Sequence, residues 1–395
     1  MKIAFVAPFF GAKASGGAEA ECRHTALRIA EMSGVDVDIL TTCLKDLPHG
    51  LTNNFHSAGV SQDGLLTVRR FEAEAPDMSS FGCLNTFIIN GGRPTPQEEL
   101  QFISRHVNSI GLYRYIADNS DDYDWFCFVP YLFGTTCFGS QIVPHKSVLI
   151  PCLHDEGYAR MQPVRDLFER VARIAFHTPA EMVLAEKLYG PARSSGQRLL
   201  IGEGIETRFE SEPDRFREKF GIKEPFIFYA GRKDETKNVP ELIKYYSNYK
   251  RNNSSDLKLI LVGPREAVIP SDMKNDIIDL GFVSDQDKKD AYSAAMVLCQ
   301  PSLNESFSIV MMESWVCGRP CLVHSGCGVT REHIERSGGG LYFESYSEFA
   351  SAVDYFAENP EMCKRMGQAG KEFVNENFEW SVVIDRYLNV AFAKS

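Results

Sequence analysis

The chain has 395 residues, a length that suits two domains of roughly 200 residues each. Its fractions of hydrophobic (44%) and charged (24%) residues are those of an ordinary globular protein, with no composition typical of disorder. The net charge of −11 argues against non-specific binding of nucleic acid or of an anionic membrane by the whole surface, and no window approaches the roughly 18 apolar residues of a membrane span.

The 11 cysteines are scattered and include no C-x-x-C pair. The nearest grouping, Cys317, Cys321 and Cys327, has no histidine or further cysteine at zinc spacing around it, so we expect no metal site and no cofactor. Single cysteines in a chain of this size favour a reduced, cytoplasmic setting. The N-terminal apolar run breaks at Gly11 without a small-residue cleavage site after it, and we expect no signal peptide there.

In the first half of the chain, short β-rich runs alternate with amphipathic stretches. The predicted strands are Ile3–Ala7, Val35–Thr41, Trp125–Val129, Ser147–Ile150 and Arg173–Phe176. Helices are predicted over about 18–32, 97–118 and 162–171. The region from about 44 to 95 is rich in Gly, Asn, Pro and Ser, and we expect loops there with one short strand, Thr67–Phe71.

The second half repeats the alternation more clearly. Its predicted strands are Phe226–Ala230, Leu257–Val262, Val297–Gln300 and Cys321–His324, and its predicted helices cover about 239–250, 286–294 and 306–317. This order is typical of an α/β protein with two doubly wound parallel sheets, each covered by helices on both faces. Ligands then bind beyond the carboxyl ends of the strands, in a cleft that the two domains are expected to face.

The boundary between the predicted domains lies in the segment I-G-E-G-I-E-T-R-F-E (201–210). We therefore expect a first domain over residues 1–203, a second over 204–378, and a C-terminal helix over 379–395 that packs back on the first.

The first loop, A-P-F-F-G-A-K-A-S-G-G-A-E-A, follows the first strand and opens a helix. Gly16 and Gly17 would let backbone N–H groups approach an anion at the helix N-terminus. The loop has neither G-x-G-x-x-G nor the P-loop lysine pattern, so a nicotinamide fingerprint is absent. On the glycine pair alone, a flexible strand-to-helix turn is the favoured interpretation.

Two cations follow the first strand of the second half, in Y-A-G-R-K-D-E-T-K-N. Gly231, Arg232 and Lys237 stand next to a helix that begins near Asn238. A guanidinium and an ammonium at a strand's carboxyl end suit a diphosphate, which they can neutralise as it becomes a leaving group. The alternative, a solvated charged turn, is less favoured because Arg232 comes directly after the apolar strand and Gly231.

A histidine follows a strand of the first half, in L-I-P-C-L-H-D-E-G-Y. His154, with Asp155 beside it, could bind a sugar hydroxyl or steady developing positive charge. A single histidine is more often structural, as we expect for His177 and His324 at other strand ends.

The segment N-E-S-F-S-I-V-M-M-E (304–313) places a carboxylate at each end of an apolar run. A helix with Ser306 as its N-cap would separate Glu305 and Glu313 by ~12 Å along its axis. That is too far for a general acid/base pair and close to the length of a sugar–diphosphate–ribose unit. The alternative is a buried helix with two solvated ends.

Together these segments resemble the retaining GT-B glycosyltransferases of family 4, also called group 1. The resemblance rests on the early glycine pair, on G-R-K-D-E-T-K-N, and on Glu-x7-Glu followed by G-R-P, in that order along nearly the whole chain. The second half matches the family's motifs more closely than the first. The resemblance implies a GT-B fold and transfer of a hexose from a GDP- or UDP-sugar, with retention and usually without a metal, to a glycan or lipid-linked acceptor in surface polysaccharide or glycoconjugate synthesis.

The resemblance also implies roles for single residues. His154, Arg232, Lys237 and Glu305 would form the catalytic centre, with the two cations on the diphosphate, Glu305 on the sugar hydroxyls and His154 near the reacting carbon. The remaining donor-binding residues would be Gly16, Gly17, Gly231, Phe282, Val283, Asn304, Ser306, Phe307, Ser308, Ile309, Val310 and Glu313. Among these, Glu313 would hold the ribose, Phe282 and Val283 would line the nucleobase, and 307–310 would offer backbone N–H groups.

Two segments depart from the family pattern. Asn238 stands where many members have a glycine, and this difference could alter the shape of the loop. The second segment, near 154–173, carries Arg160, Arg165, Arg170 and Arg173 on a helical pattern. These arginines could touch a phosphorylated lipid or the inner face of a membrane, but a helix packed on its sheet with solvated arginines is favoured.

Three alternative functions follow from other patterns. A metal-dependent GT-A transferase would need D-x-D, and Asp36 and Asp38 have this spacing. They lie in V-D-V-D-I-L, however, and we expect them on the outward face of a strand. A nucleotide-sugar epimerase of the same fold is disfavoured by Glu-x7-Glu. A silent nucleotide-sugar-binding protein is disfavoured by the intact Glu305, Arg232, Lys237 and His154.

Overall fold

The computed structural model describes residues 1–11, 17–46, 50–75 and 78–393. The chain divides into two compact units. The first comprises Met1–Gly204 with Trp380–Ser395, and the second comprises Ile205–Glu379.

In the first unit, the described residues form eight strands and eight helices before the chain enters the second unit. Its strands are β1 (Lys2–Ala7), β2 (Asp36–Thr42), β3 (Gly59–Asp63), β4 (Leu66–Phe71), β5 (Trp125–Phe128), β6 (Ser147–Leu149), β7 (Arg173–Phe176) and β8 (Arg198–Leu200). Its helices are α1 (Gly17–Ser33), α2 (Met78–Ile89), α3 (Pro96–Arg105), α4 (Ile110–Asp118), α5 (Gly134–Cys137), α6 (Gly139–Ile142), α7 (Gln162–Arg170) and α8 (Pro179–Tyr189).

The strands of the first unit form one sheet in the order β3-β4-β2-β1-β5-β6-β7-β8. All neighbours in it pair in parallel except β3, which runs antiparallel to β4. Side chains alternate between the two faces along each strand, and an apolar cluster buries each face. In β1, Ile3 and Phe5 belong to the apolar cluster on one face, whereas Ala4 and Val6 belong to the cluster on the other.

The second unit contains six strands and seven helices. Its strands are β9 (Phe226–Ala230), β10 (Lys258–Val262), β11 (Ile277–Asp279), β12 (Val297–Gln300), β13 (Cys321–His324) and β14 (Gly340–Phe343). Its helices are α9 (Pro213–Phe220), α10 (Val239–Asn252), α11 (Asp285–Ala294), α12 (Ile309–Val316), α13 (Gly328–Ser337), α14 (Tyr346–Glu358) and α15 (Pro360–Phe378).

These six strands form an all-parallel sheet in the order β11-β10-β9-β12-β13-β14. From β9 the chain winds outward through β10 and β11, and then returns to the other side of β9 with β12. The loops after β9 and β12 therefore lead to opposite faces of the sheet and leave a crevice at the carboxyl ends of these two strands. Such a switch point is where open α/β sheets bind ligands.

The C-terminal segment belongs to the first unit. Helix α16 (Trp380–Arg386) continues into a π-helical turn, Tyr387–Ala391, and both contribute to the apolar cluster around Ile3 and Phe5. Gly204 is required at this contact, because a Cβ there would lie 2.1 Å from the Trp380 ring. Among the described residues, no helix is long and apolar enough to cross a membrane.

Several elements differ from the predicted ones. The region 44–95, expected to hold loops and one strand, also contains β3 and helix α2. The helix expected over 97–118 is two helices, because α3 ends at Arg105 and Ser109 caps the N-terminus of α4 by accepting from Leu112 N. Residue Val107 between them has a φ of 53°, which no continuous helix permits.

Candidate functional site

The loop after β9 turns sharply at Gly231. Gly231 has a φ of 152°, and a Cβ there would lie 2.8 Å from the Tyr229 hydroxyl oxygen. The same hydroxyl donates to the backbone oxygen of Arg232 at 2.6 Å. The turn directs the exposed Arg232 out of the sheet edge, where its guanidinium lies 3.4 Å from Thr236 Oγ1.

A 3₁₀ turn, Glu235–Lys237, follows and is capped by Asp234, whose side chain accepts from Lys237 N at 3.2 Å. Asn238 then adopts a left-handed conformation with a φ of 56° before α10 begins. Asparagine tolerates this conformation better than most residues. The loop therefore keeps a glycine-like backbone at Asn238, and the Asn238 side chain donates to the Pro301 oxygen at 3.1 Å, which ties the loops after β9 and β12 together.

The Lys237 ammonium lies against the Glu305 carboxylate. Lys237 Nζ donates to Glu305 Oε1 at 2.6 Å, and Gln300 Nε2 donates to the same oxygen at 3.3 Å. The Lys237 and Glu305 side chains are 24% and 10% exposed, so solvent reaches the pair from one side. The structure thus brings together two predicted site residues from opposite sides of the switch point.

The start of helix α12 differs from the prediction. Ser306 is not the N-cap, because the helix begins at Ile309 and Ser308 occupies the capping position. Ser308 has a φ of 77°, and its side chain accepts no bond from the first turn. The residues from Asn304 to Ser308 form an irregular loop ahead of the helix, so Glu305 and Glu313 do not lie on one continuous helix.

Phe307 belongs to the core of the second unit. Its side chain is 1% exposed and packs edge-on against His333 and Phe378. Burial lowers the pKa of His333 to about 3, so the ring is neutral near pH 7. Its Nε2 lies 3.1 Å from the Phe307 backbone oxygen. This packing fixes the loop that carries Glu305 to the sheet.

Glu313 lies in α12 and is held from α11. Lys288 Nζ donates to Glu313 Oε1 at 2.9 Å, and the Tyr292 hydroxyl donates to Oε2 at 2.8 Å. Burial by itself would lower the pKa of Lys288, but the Glu313 carboxylate reverses the effect and raises it. Lys288 and Tyr292 were not identified from the sequence. Their spacing of four residues, which places both on one face of a helix, could have indicated them.

The loop after β11 carries the residues predicted to line a nucleobase. Phe282 is 85% exposed, unusually high for an aromatic side chain, while Val283 packs partly against the core. The loop is anchored by Asp279, which accepts from Gly281 N at 2.9 Å and from the buried Lys233 ammonium at 2.6 Å. Burial would raise the pKa of Asp279, but Lys233 and the backbone donors lower it.

The remaining predicted site residues are distributed over both units. Ile309 and Val310 form the first turn of α12 and are half-buried. Gly17 is the first residue of α1, and a Cβ there would meet nothing within 4 Å, while Gly16 lies outside the described residues. His154 is half-buried in the loop after β6. Gly17 and His154 belong to the first unit, whereas the other described site residues belong to the second.

The D-x-D pair does not lie on an outward face as expected. Asp36 is exposed, but Asp38 is only 2% exposed. Its carboxylate accepts from Arg69 Nε at 3.1 Å and from the Tyr123 hydroxyl at 2.5 Å. A buried carboxylate with these partners is a structural ion pair and not an open metal ligand.

The arginines near α7 bind other parts of the first unit. Arg160 pairs with Asp155, and Arg165 donates to the Leu188 oxygen at 2.8 Å. Arg170 reaches Gln141 Oε1, and Arg173 donates to the Ala391 oxygen at 2.8 Å and lies over the Trp125 ring.

One group of possible metal ligands occurs among the described residues, namely Glu21, Cys152 and His177, with ligand atoms within 4.8 Å of one another. They already bind each other, since His177 Nε2 lies 2.5 Å from Glu21 Oε1 and the Cys152 thiol donates to Glu21 Oε2 at 3.4 Å. Burial would lower the pKa of His177, but Glu21 reverses this and raises it to about 10. The geometry is that of a buried ion pair.

Comparison with known proteins adds to this picture. Residues 210–373 match the family model of the Glycosyl transferases group 1. A D-inositol 3-phosphate glycosyltransferase of Paenarthrobacter aurescens is 23% identical over 94% of this chain and 91% of its own length. An uncharacterized glycosyltransferase of Methanocaldococcus jannaschii is 25% identical over 45% of this chain.

The chain spans 48%, 29% and 58% of the length of the first three curated relatives that it matches. Among solved structures, Anabaena HepE in complex with UDP and glucose has a TM-score of 0.70 at 16% identity, over 99% of both chains. Likeness at this identity shows the fold. The chain thus has the α/β fold of the GT-B glycosyltransferases, with two parallel-sheet Rossmann-like domains, and most of its second unit is similar to the group 1 glycosyl transferases.

Proposed function

We propose that the chain is a retaining glycosyltransferase that moves a hexose from a UDP- or GDP-sugar to a glycan or lipid-linked acceptor. The observation that carries the proposal is the contact between Lys237 and Glu305 at the switch point of the second sheet. It places an ammonium suited to a diphosphate directly beside a carboxylate suited to sugar hydroxyls. These are the two groups that flank the bond broken in transfer from a nucleotide sugar.

In the proposed reaction, the bond between the anomeric carbon and the diphosphate oxygen breaks while the acceptor oxygen bonds to the same face of that carbon. Because the new bond forms on the face that the diphosphate leaves, the configuration is retained. The acceptor's proton passes to the departing phosphate oxygen. Arg232 and Lys237 stabilise the charge that develops on the diphosphate. His154 is proposed to lie near the reacting carbon, and Gly16 and Gly17 beside the phosphates.

The other contacts of the donor are proposed along the same edge of the second sheet. Glu313, which Lys288 and Tyr292 hold in place, would accept from the ribose hydroxyls. The exposed Phe282 and the neighbouring Val283 would line the nucleobase. The irregular loop from Asn304 to Ser308, Gly231 and the first turn of α12 (Ile309, Val310) would complete the site around the sugar and phosphates.

The domain roles follow from this assignment. We propose that residues 1–203 bind the acceptor, that 204–378 bind the nucleotide sugar, and that 379–395 belong with the acceptor domain. Names of relatives such as D-inositol 3-phosphate glycosyltransferase, and a structural neighbour bound to UDP and glucose, support a nucleotide-sugar donor. The proposed setting is the cytoplasm or the inner membrane face, in surface polysaccharide or glycoconjugate synthesis.

The reaction is proposed to need no metal, because Arg232 and Lys237 supply positive charge for the diphosphate. Transfer should therefore continue at an unchanged rate after treatment with EDTA. Activity that disappears with EDTA and returns with Mg²⁺ or Mn²⁺ would contradict this part of the proposal.

A thermal-shift screen tests the proposal at the level of binding. The unfolding midpoint should rise with one nucleoside diphosphate and its sugar, since a ligand that binds only the folded state stabilises it. No shift with any UDP- or GDP-sugar would contradict the proposal. Incubation of the bound sugar nucleotide then separates the alternatives, since an epimerase converts the sugar while it stays nucleotide-linked and a silent binding protein leaves it intact.

A further inference from the structure

Gln300 is the last residue of β12 and is 4% exposed. Side chains alternate along a strand, so Gln300 shares a face with Leu298, which belongs to the apolar cluster of Phe307 and Met311. An apolar side chain would suit this position. The polar amide therefore calls for an explanation other than packing.

The hydrogen bonds of the Gln300 amide are incomplete. Its Nε2 donates to Glu305 Oε1 and to Ser308 Oγ, both at a long 3.3 Å. In the part of the chain that the structure describes, its buried Oε1 has no hydrogen-bond partner. A buried amide oxygen without a partner costs stability in the ligand-free protein, and functional sites are one place where such a cost is found.

A second buried glutamine shows what a structural amide looks like in this chain. Gln197 is 2% exposed, and its Nε2 donates to the backbone oxygens of Phe168, Glu169 and Val171. Its Oε1 accepts from Arg193 N at 2.8 Å. Both ends of the Gln197 amide are therefore satisfied, whereas the oxygen of the Gln300 amide is left without a partner among the described residues.

The partner of Gln300 explains the difference. Glu305 Oε1 receives two donors, and the shorter contact, from Lys237, is the one that a diphosphate would compete for. Once phosphate oxygens engage the ammonium, Gln300 Nε2 would remain of these two donors to Glu305 Oε1, and Oε2 would accept from a sugar hydroxyl.

We propose that Gln300 is a positioning residue that holds Glu305 in the orientation that receives the donor sugar when Lys237 turns to the diphosphate. This inference rests on the proposed function. It predicts that Gln300 affects recognition of the sugar and not of the nucleotide, and that it contributes little to the stability of the ligand-free protein.

The test compares Gln300→Met, which has a similar shape without the amide, with the matched control Gln197→Met. Isothermal titration with UDP and UDP-glucose, and with GDP and GDP-mannose, gives the factor by which the sugar changes affinity. In Gln300→Met, the affinity for the sugar nucleotide relative to that for its nucleoside diphosphate should fall by about tenfold. This is roughly the contribution of one hydrogen bond to a charged group, and the Kd of the nucleoside diphosphate itself should stay constant. Its ligand-free unfolding midpoint should equal or exceed that of the wild type.

Gln197→Met should show the opposite pattern, with a lower unfolding midpoint and unchanged affinities for both ligands. Gln300→Glu keeps the length of the side chain but places a carboxylate against Glu305. It should reduce the contribution of the sugar to donor affinity further than Gln300→Met does. Unchanged sugar recognition in Gln300→Met, or failure of both Gln300 variants to fold, would overturn the inference. If the wild type binds no nucleotide sugar, the proposed function itself fails; if it binds one and Gln300→Met behaves like the wild type, only the inference fails.

Discussion

At the scale of single residues, the contacts at the switch point depend on which side chains tertiary structure brings together. Lys237 and Glu305 are 68 positions apart in sequence, and their motifs predict a phosphate-binding cation and a sugar-binding carboxylate separately. The sequence does not show that these two groups share a hydrogen bond. The role of Gln300 has only a weak sequence signal, a polar residue that ends an apolar strand just before P-S-L-N-E.

Substitution of either partner should reduce transfer strongly. We expect Lys237→Ala and Glu305→Gln each to lower kcat/KM by about 100-fold or more, which corresponds to about 2.7 kcal/mol of lost transition-state stabilisation. Steady-state kinetics, with circular dichroism to verify folding, measures the effect. Lys364→Ala removes an exposed ion pair of the same unit and should leave the kinetics unchanged. Wild-type kinetics in either site variant would remove that residue from the mechanism.

At the scale of elements, mostly buried apolar strands were predictable, and several partly exposed ones were not. Strands β7, β9, β12 and β13 begin and end at the predicted residues, because each is a buried run bounded by polar or turn-forming residues. Strands β8 and β11 have three residues each and lack a clear period, so no pattern predicted them. The predicted start of α12, at 306, is three residues too early. Nothing in the sequence indicates that Ser308 adopts the left-handed conformation.

The turn before α10 gives a prediction at this scale. Asn238→Ala should destabilise the protein by about 1–2 kcal/mol, because an alanine is strained at a φ of 56°, and the bond to the Pro301 oxygen is also lost. Asn238→Gly relieves the strain and loses only that bond, so it should be closer to the wild type. Urea unfolding of the three proteins measures the difference. Equal stability of the Ala and Gly variants would show that the backbone conformation at this turn is not what requires asparagine.

At the scale of the whole molecule, each unit has its own sheet with an apolar cluster on either face, and the alternation of strands and helices along the sequence predicted this architecture. The buried charges inside the first unit were not predictable. Asp38 on β2 was expected to face outward, and Glu21 and His177 are 156 positions apart in the sequence. Their pairing depends on the tertiary structure that brings Glu21 of α1 to the loops after β6 and β7, where Cys152 and His177 lie.

The buried ion pair of His177 and Glu21 should make the free energy of unfolding depend on pH. The pKa of His177 is raised to about 10 in the folded chain, above its ordinary value of 6.5, so its contribution is complete below about pH 6.5 and is lost as the pH rises through 10. We expect the free energy of unfolding to fall between pH 7 and pH 10, and to fall less in His177→Gln. Urea titrations across this range measure the slope of the free energy of unfolding with pH.

His333→Gln is the control. The pKa of His333 is lowered to about 3, so this residue changes the free energy of unfolding only as the pH falls below 6.5. The same slope in His177→Gln as in the wild type would show that another group causes the loss.

The proposed function centres on transfer of a hexose from a nucleotide sugar with retention of configuration. The most direct measurement incubates the protein with the donor found by binding, together with glycan and lipid-linked acceptors, and follows release of nucleoside diphosphate. Nuclear magnetic resonance then assigns the anomeric configuration of the sugar product. We predict release of the nucleoside diphosphate and a product with the anomeric configuration of the donor, with release about 100-fold slower in Lys237→Ala. A product of inverted configuration, or tight binding of the donor without release of nucleoside diphosphate to any acceptor or to water, would contradict it.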